Sequence, residues 1–251
     1  MRSGLAVILA FIVVLSAAAA FASSQPVGGV ATAQPGKVDL SGGYFYSYDK
    51  WDSNTLDGEP KIKTNVYYMQ LGYGVAPGWD VYLRGGIVDG KGEGDLELKS
   101  GGKVFGSIGF HGRFFEHKPW NLAFGPVGNV ALYETFSEHS SAMVGGAPAH
   151  GSFSLKDHYS ADIGFGFQWK PIPRITVFGG PFYHYDHAKL EYKYSRAGRY
   201  VDDSDNVSTK NSFGPRFGAN FMLTKEKDVY LQVEGQYRGY ASGGASVGIN
   251  F

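Results

Sequence analysis

Apolar side chains recur at every second position over long stretches of this chain, and this pattern restricts the fold more than any other feature of the sequence. Between Asp157 and Lys170 the apolar face comprises Tyr159, Ala161, Ile163, Phe165, Phe167 and Trp169, and mainly polar residues and glycines occupy the alternate positions. A period of two is that of a β-strand and not of a helix. The stretch is about twice as long as a typical globular strand. It matches the ~9–11 residues of a tilted strand that crosses a bilayer, plus an extension.

The same alternation recurs between residues 37 and 251. Further apolar faces occupy the ranges 38–48, 67–75, 79–87, 104–114, 122–132, 175–185, 213–223, 229–237 and 245–251. Together these stretches predict about ten strands, with about eight as the alternative. No stretch beyond residue 36 has the periodicity and the caps of an amphipathic helix, so the sequence predicts an all-β fold.

The connections between the predicted strands alternate in length. Short turns are expected at 76–78, 115–120, 171–173 and 225–227, long polar loops at 49–61, 89–102, 137–156 and 188–210, and one exceptional short connection near 240–243. Aromatic residues concentrate near strand ends, as they do at membrane interfaces. These features are typical of a closed antiparallel transmembrane β-barrel and favour it over a soluble sandwich. The short turns are then expected in the periplasm and the long loops outside the cell.

The apolar parity changes within the last of these loops. Apolar residues fall at odd positions up to Tyr185 and at even positions from Leu190 to Tyr194. A shift of one residue moves a side chain to the other face of a strand. The change therefore predicts either a bulge at this point or an exit from the membrane.

The N-terminus has the features of an export signal. Arg2 supplies a positive charge, Leu5 to Leu15 form an apolar core, and Ala20-Phe21-Ala22 gives a cleavage pattern of small residues. We therefore expect residues 1–22 to be a signal peptide. Residues 23–36 are small and polar and predict a flexible leader, and residues 37–251 form the predicted barrel.

Composition excludes several classes of protein. The chain has 23 basic and 23 acidic residues and no cysteine. Because it has no basic cluster, it lacks the footprint of a nucleic-acid-binding protein. Because it has no cysteine, it has no disulfide, no thiol nucleophile and no thiolate ligand for a metal.

These features together resemble a known group of proteins. The signal segment, the period-two strands and the terminal Ala-Ser-Val-Gly-Ile-Asn-Phe are similar to those of small Gram-negative outer-membrane β-barrel proteins, the broad OmpA/OmpX-like barrel domain family. The resemblance covers Lys37 to Phe251 and implies an outer-membrane location, in contact with lipid and lipopolysaccharide. In that family the C-terminal alternation resembles the signal read by the barrel-assembly machinery, and here its residues would be Ala245, Val247, Ile249 and Phe251. We further expect a monomer without a cofactor.

The faces opposite the apolar ones should line the lumen, because their charges would be costly against lipid. The predicted lumen-facing polar cluster comprises Asp80, Arg84, Arg113, Asp162, Arg216 and Glu234. Side chains nearly fill the interior of a small barrel, so we expect Glu234 and Asp162 to pair with the arginines across the lumen. The cluster is then either a structural plug or the lining of a narrow pore, and we favour the plug.

A catalytic site is the alternative to a structural lumen. His184 and Asp186 could supply a general base to an outer-membrane hydrolase, acting as a protease or on lipid A, with its site at the barrel rim. His139 and Ser141 have a spacing that is similar to one deacylase family, but the flanking family residues are missing. The sequence therefore assigns no catalytic residue.

Two acidic stretches, Asp89–Asp95 and Asp202–Asn206, contain oxygen ligands that could bind calcium. Neither has the full twelve-residue loop with its terminal glutamate, so solvated surface loops are favoured and no metal site is predicted. The sequence thus predicts a non-enzymatic barrel with a structural, surface-interaction or narrow-pore role.

Overall fold

The computed structural model describes residues 25–30, 33–52, 61–93, 99–144, 147–196, 199–210, 212–224 and 228–251. Within these ranges the chain forms one sheet of thirteen strands and a short 3₁₀ turn, Lys118–Trp120. The strands are β1 (Val38–Asp52), β2 (Lys61–Ala76), β3 (Trp79–Glu93), β4 (Lys99–Gly112), β5 (Phe115–His117), β6 (Leu122–Tyr133), β7 (Phe136–Val144), β8 (Ala147–Ile172), β9 (Ile175–Arg196), β10 (Arg199–Thr209), β11 (Phe213–Met222), β12 (Val229–Tyr237) and β13 (Ala241–Asn250). No helix of the described part is long and apolar enough to cross a membrane.

Ten of these strands close into a ring in the order β1-β2-β3-β4-β6-β8-β9-β11-β12-β13. The last strand returns to the first in antiparallel register, from Asp39 opposite Asn250 to Tyr46 opposite Gly243. A closed ring leaves no unpaired backbone edge, which is the condition for a sheet to exist in lipid. The predicted all-β, closed antiparallel barrel of about ten strands is confirmed.

The predicted apolar faces point outward. Leu83 is 59% exposed, whereas Tyr82 and Arg84 on either side of it are buried. The exposed apolar positions continue along β3 at Val81 and Ile87, and other strands repeat them with exposed Met69, Leu71, Val104, Ile108, Val130, Leu132, Ile163 and Phe217. An exposed apolar surface that runs around a closed barrel is the surface that faces the hydrocarbon of a bilayer.

Aromatic residues mark the end of the barrel that carries the short turns. Trp79, Phe114, Trp120 and Trp169 are all exposed there. Rings of this kind occupy the interface between lipid and water. This end is therefore the periplasmic end in the predicted topology.

Two of the predicted loops are in fact hairpins of strands. β8 has 26 residues and β9 has 22, which is roughly 85 Å and 70 Å of extended chain and far more than a bilayer requires. Beyond the ring they pair with β7 and β10, in the order β7-β8-β9-β10. We call this projecting part the surface sheet. The loop prediction for 137–156 and 188–210 was wrong because a strand with water on both faces has no strict apolar alternation to reveal it.

The predicted bulge lies on a different strand. On β9 the even residues Ala188 and Leu190 are buried inside the barrel, as Asp186 is, so the strand keeps its parity. The register shifts instead on β8, between Lys156 and Tyr159. The pattern on β9 changes because the interior changes from polar to apolar there, and not because the strand slips.

The water-exposed surface sheet carries ion pairs between lysine and glutamate side chains. Lys156 approaches Glu191 at 2.6 Å and Lys189 approaches it at 3.2 Å. The hydrogen bonds from Lys156 and then Lys189 lower the pKa of the Glu191 carboxyl from its usual value. Such exposed pairs are screened by salt and contribute little to stability, so the backbone pairing of the strands, rather than these charges, holds the surface sheet.

The topology predicts which single-cysteine variants react with a membrane-impermeant maleimide on intact cells. The native chain has no cysteine, so each label reports one site. Lys193→Cys, on the surface sheet, should label at once. Arg174→Cys, at the exposed turn between β8 and β9, should label only after the outer membrane is permeabilised. The reverse order of labelling would invert the topology.

Candidate functional site in the barrel lumen

Residues 25–30 and 33–36, called the N-terminal segment below, enter the barrel. Gln25, Val27 and Val30 are at most 1% exposed. The segment continues directly into β1, and the Gly36 N–H donates to the Gly74 carbonyl at 2.8 Å. These residues belong to the predicted flexible leader, and the structure places them inside the lumen because side chains there satisfy their backbone groups. The predicted signal peptide lies outside the described residues.

Glu234 on β12 holds the N-terminal segment from one side. Its two carboxylate oxygens accept the backbone N–H groups of Val27 at 3.0 Å and Gly28 at 2.8 Å. The Gln236 amide donates to Glu234 at 2.9 Å and to the Gln25 carbonyl at 3.0 Å. Gly28 has a φ of 77°, a left-handed conformation that favours glycine. The carboxylate therefore acts as an anion held by a turn of backbone N–H groups.

Two arginines hold the same stretch of backbone through its carbonyl groups. Arg216, fully buried, donates to the Gly28 carbonyl. Arg84 donates to the Pro26 carbonyl at 3.0 Å and to the Gln25 side chain at 2.9 Å. The Arg84 guanidinium also lies 4.7 Å from the centre of a tyrosine ring, that of Tyr68. Cations thus contact carbonyl oxygens and a ring face, which are the groups that stabilise them away from water.

A histidine–aspartate pair fixes the segment nearer the periplasm. His111 Nδ1 lies 2.6 Å from Asp80, and His111 Nε2 lies 2.6 Å from the Val27 carbonyl oxygen. The second oxygen of Asp80 accepts the Ala33 N–H at 3.1 Å. A carbonyl oxygen can only accept a hydrogen bond, so the proton of this contact lies on Nε2. The pair bridges two parts of the segment.

The predicted polar cluster is therefore assembled in part. Asp80, Arg84, Asp162, Arg216 and Glu234 are all buried in the lumen. The arginines do not take Glu234 and Asp162 as their partners, because the N-terminal segment lies between them and supplies backbone groups instead.

Arg113 does not join the cluster. It lies at the periplasmic mouth, where its side chain is 36% exposed and pairs with Glu116 at 3.5 Å. A polar cavity of about 370 Å³ opens at this mouth, and Arg113 lines it together with Gln34, Lys170, Asn220 and Gln232. The alternation of the sequence predicts an inward-facing side chain for Arg113. Arg113 follows the last residue of β4, so it is outside the strands that form the ring.

Above the segment, three buried pairs of polar side chains line the lumen, two of them between the neighbouring strands β8 and β9. His184 lies 2.7 Å from Asp162, and His158 lies 2.7 Å from Asp186. Arg238 donates to both oxygens of the remaining carboxylate, Asp49, at 3.0 and 3.2 Å. The sequence pattern does not mark Asp49 as a lumen residue, because Asp49 lies in a predicted loop. His158 has the same parity as Asp162 and could have been found from the pattern.

The extracellular end of the lumen is apolar. Its buried cluster, called the apolar cap below, comprises Phe45, Trp51, Ile62, Val66, Tyr68, Val88, Phe105, Phe136, Leu155, Ala188, Leu190 and Val207. A cavity of about 40 Å³ lies within this cluster, and its lining runs from Lys91 and Gly92 near the outer end of β3, past Trp51 and Phe136, to His158, His184 and Asp186. The N-terminal segment therefore occupies the periplasmic part of the lumen, and the apolar cap packs its outer end, with a cavity in each part.

The residues proposed for a hydrolase site lie in two different parts of the structure. His184 Nε2 and Asp186 lie 4.0 Å apart; both are buried and line the apolar cavity of the upper lumen. His139 and Ser141 are on β7, and their side chains lie outside the described part. Substrate access to the His184 pair would run through this cavity, whose lining also includes Lys91 and Gly92 on β3.

The remaining sequence predictions concern surface elements. Asp202–Asn206 belongs to β10 and is a strand rather than a loop, and Asp89–Asp95 runs from β3 into residues outside the description. Ala245, Val247 and Ile249 are partly buried on β13, and Phe251 is 59% exposed after it. Their recognition by the assembly machinery stays a prediction.

Comparison with known proteins finds similarity only among solved structures, since no protein-family model and no curated protein matches the chain. The translocator domain of the autotransporter NalP from Neisseria meningitidis is 12% identical, with 100% of this chain and 96% of that chain covered and a TM-score of 0.44. The outer membrane protein AlkL is 12% identical, with 91% and 97% covered and a TM-score of 0.40. OprG from Pseudomonas aeruginosa is 12% identical, with 88% and 99% covered and a TM-score of 0.38.

At these identities and TM-scores the matches say nothing about a substrate or a partner. The architecture rests on the ring itself: ten strands closed without an edge, an apolar exterior and an aromatic end. This combination fits a bilayer crossed by strands, and water would not tolerate so large an apolar surface. The chain is a closed, ten-stranded transmembrane β-barrel.

Proposed function

We propose that this protein is a sealed, non-enzymatic outer-membrane anchor that presents the surface sheet at the cell exterior. The observation that carries the proposal is the filled lumen. The N-terminal segment occupies the lower lumen, and the apolar cap narrows the described part of the upper lumen to a cavity of about 40 Å³. The surface sheet is then the largest feature available to other molecules.

The N-terminal segment is held as part of the interior. Arg84, Arg216 and Glu234 each bind its backbone directly. Withdrawing the segment would leave these charges without those partners in a barrel that lipid surrounds, and an unpaired buried charge or donor is costly. The resting protein therefore keeps the segment in place.

The apolar cap closes the other half independently. Trp51, Phe105 and Phe136 are at most 6% exposed within the lumen. Hydrated ions and polar solutes cross an apolar constriction poorly, because it excludes water. Two barriers of different chemistry thus lie in series.

The surface sheet offers a free edge. β7 pairs with β8 on one side, and the described strands place no regular partner along its other side. Strand edges with unpaired N–H and C=O groups can add a strand of another chain. This feature supports a role in surface contact.

A narrow pore is the second candidate. The polar cavity of about 370 Å³ at the periplasmic mouth favours it, because it would admit water to the lower lumen. Arg216 Nε and Nη2 have no partner among the described residues, which suits contact with water. In this candidate the N-terminal segment is a gate.

The proposed partners are lipopolysaccharide and the barrel-assembly machinery. Lys50, Lys61 and Lys63 lie near the extracellular ends of β1 and β2, with Lys50 opposite Lys61. Lys63 Nζ lies 5.4 Å from the centre of the Tyr48 ring. Cations above an aromatic belt suit the phosphates of lipopolysaccharide, and we propose this contact together with assembly through the C-terminal residues.

Conductance in planar bilayers separates the two candidates. The wild-type barrel should show no steady single-channel current. A variant lacking residues 25–34 should also stay closed, because the apolar cap remains. Adding Trp51→Ala and Phe136→Ala to that deletion should open a current. Steady current through the wild type would contradict the sealed anchor, and current after the deletion alone would favour the gated pore.

The surface role is tested on whole cells. Removing residues 141–150 and 194–201 shortens both hairpins, and of the pairing between ring strands it removes only the terminal β8–β9 pairs His150–Ser195 and Gly151–Tyr194. Adhesion of cells to one another and to solid surfaces should then fall to the level of cells that lack the barrel. Full adhesion with the shortened hairpins, at equal amounts of folded barrel, would count against the surface role.

Glu234→Gln tests how firmly the N-terminal segment is held. A glutamine turns an amide NH₂ toward the backbone donors of Val27 and Gly28, so one donor loses its acceptor. The unfolding free energy should fall by about 1–3 kcal/mol, measured as a lower urea midpoint in detergent micelles. The matched control is Glu116→Gln, whose exposed pair with Arg113 is worth ~0–1 kcal/mol. Equal midpoints for the two variants would mean that the Glu234 contacts do not form.

A further inference from the structure

We propose that Asp49, His184 and Asp186 form a binding site for a divalent transition-metal ion, zinc by preference, inside the upper lumen. One ligand atom from each residue lies within 4.8 Å of the others. The three residues are 3%, 1% and 4% exposed. The site goes beyond a sealed anchor, and it is independent of what the surface sheet binds.

The strongest indication is the state of His184. Its Nδ1 lies 2.7 Å from Asp162, and a carboxylate only accepts, so Nδ1 carries a proton. Its Nε2 is buried without a hydrogen-bond partner in the described structure. The nearest carboxylate oxygen, on Asp186, is 4.0 Å away, which is too far for a hydrogen bond. A metal ion between them would satisfy this nitrogen.

Each proposed ligand is oriented by a second residue. Asp162 fixes the tautomer and the plane of the His184 ring. His158 binds one oxygen of Asp186 at 2.7 Å, and its ring stacks on Tyr133 with centres 4.2 Å apart. Protein metal sites typically have such outer partners, with a carboxylate behind a ligating histidine.

The charge of the site also favours a cation. Three carboxylates meet here, those of Asp49, Asp162 and Asp186, and the guanidinium of Arg238 contacts Asp49. Buried carboxylates are stable only when they are paired or bound to a metal. The alternative is a proton on His184 Nε2, and the experiment below separates a bound proton from a bound metal.

The donor set points to zinc. One imidazole nitrogen and two carboxylate oxygens suit Zn²⁺, whereas Ca²⁺ and Mg²⁺ prefer more oxygen ligands. Zinc distances of about 2.0–2.2 Å need only a modest approach of the three side chains. A fourth position can be taken by water, since the cavity of about 40 Å³ touches both His184 and Asp186.

Such an ion would brace the barrel. Asp49 is on β1, whereas His184 and Asp186 are on β9, and β11, β12 and β13 separate these strands around the ring. β10 pairs with both β9 and β1 close to this point, and the ion would add a direct side-chain link between these two strands. Binding to the folded state alone raises stability by mass action.

The test uses the full barrel purified in detergent micelles and stripped with a chelator. Titration calorimetry with Zn²⁺ should show one ion per chain, and Co²⁺ should give the visible absorption of a four-coordinate site. His184→Gln should weaken Zn²⁺ binding at least about 100-fold, and Asp162→Asn about 10–100-fold. His187→Gln, on the same strand but outside the lumen, should bind as the wild type does.

Three results would overturn the site: no Zn²⁺ bound by the wild type, undiminished binding by His184→Gln, or an equal loss in His187→Gln. Heat-dependent gel mobility verifies that each variant is folded. If His184→Gln does not fold, X-ray absorption of the zinc-loaded wild type decides. One imidazole with oxygen ligands supports the site, and several imidazoles contradict it. Conductance tests the sealed anchor separately, so the two proposals fail independently.

Discussion

A polar side chain enclosed by this barrel has lipid outside the wall, so its hydrogen-bond partner has to come from inside the lumen. Closing the ring satisfies the backbone of the ten strands, but it also traps the charges that face the lumen. Arg84, Arg216 and Glu234 cannot pair only with one another across the gap. The N-terminal segment fills that gap, and its carbonyl and N–H groups complete their hydrogen bonds. In the proposed function, the lumen is closed because the segment that completes these hydrogen bonds also occupies the space.

The interior changes character along the barrel axis. The periplasmic part is polar because a hydrogen-bonding polypeptide occupies it. The outer part is apolar because the strands continue past the membrane, and the space between them is packed as the core of a soluble protein is. Ala188 and Leu190 face this core from β9, and Leu155 faces it from β8. The surface sheet and the apolar cap are therefore one continuous structure.

The two His–Asp pairs and the Arg238–Asp49 pair lie where these two parts meet. Beneath the apolar cap the polypeptide no longer supplies partners, and histidine–aspartate pairs take over that role. His184 is left with one nitrogen unsatisfied among the described residues. At this junction the proposed ion would supply the missing partner of His184, as the N-terminal segment supplies partners to the arginines and Glu234 nearer the periplasm.

The sequence by itself determined the strands and their outward faces, because alternate residues of a strand point to opposite faces and the apolar face is the one that contacts lipid. It also determined the closed barrel and the membrane that surrounds it. It also placed Asp80, Asp162 and Glu234 inside. Only the tertiary structure decided what those side chains bind. A small, polar leader has no periodicity that would mark it as an interior element, and water-exposed hairpins have none that would mark them as strands. Partners that are distant in the chain, such as Val27 and Glu234, meet only when the ring closes around them.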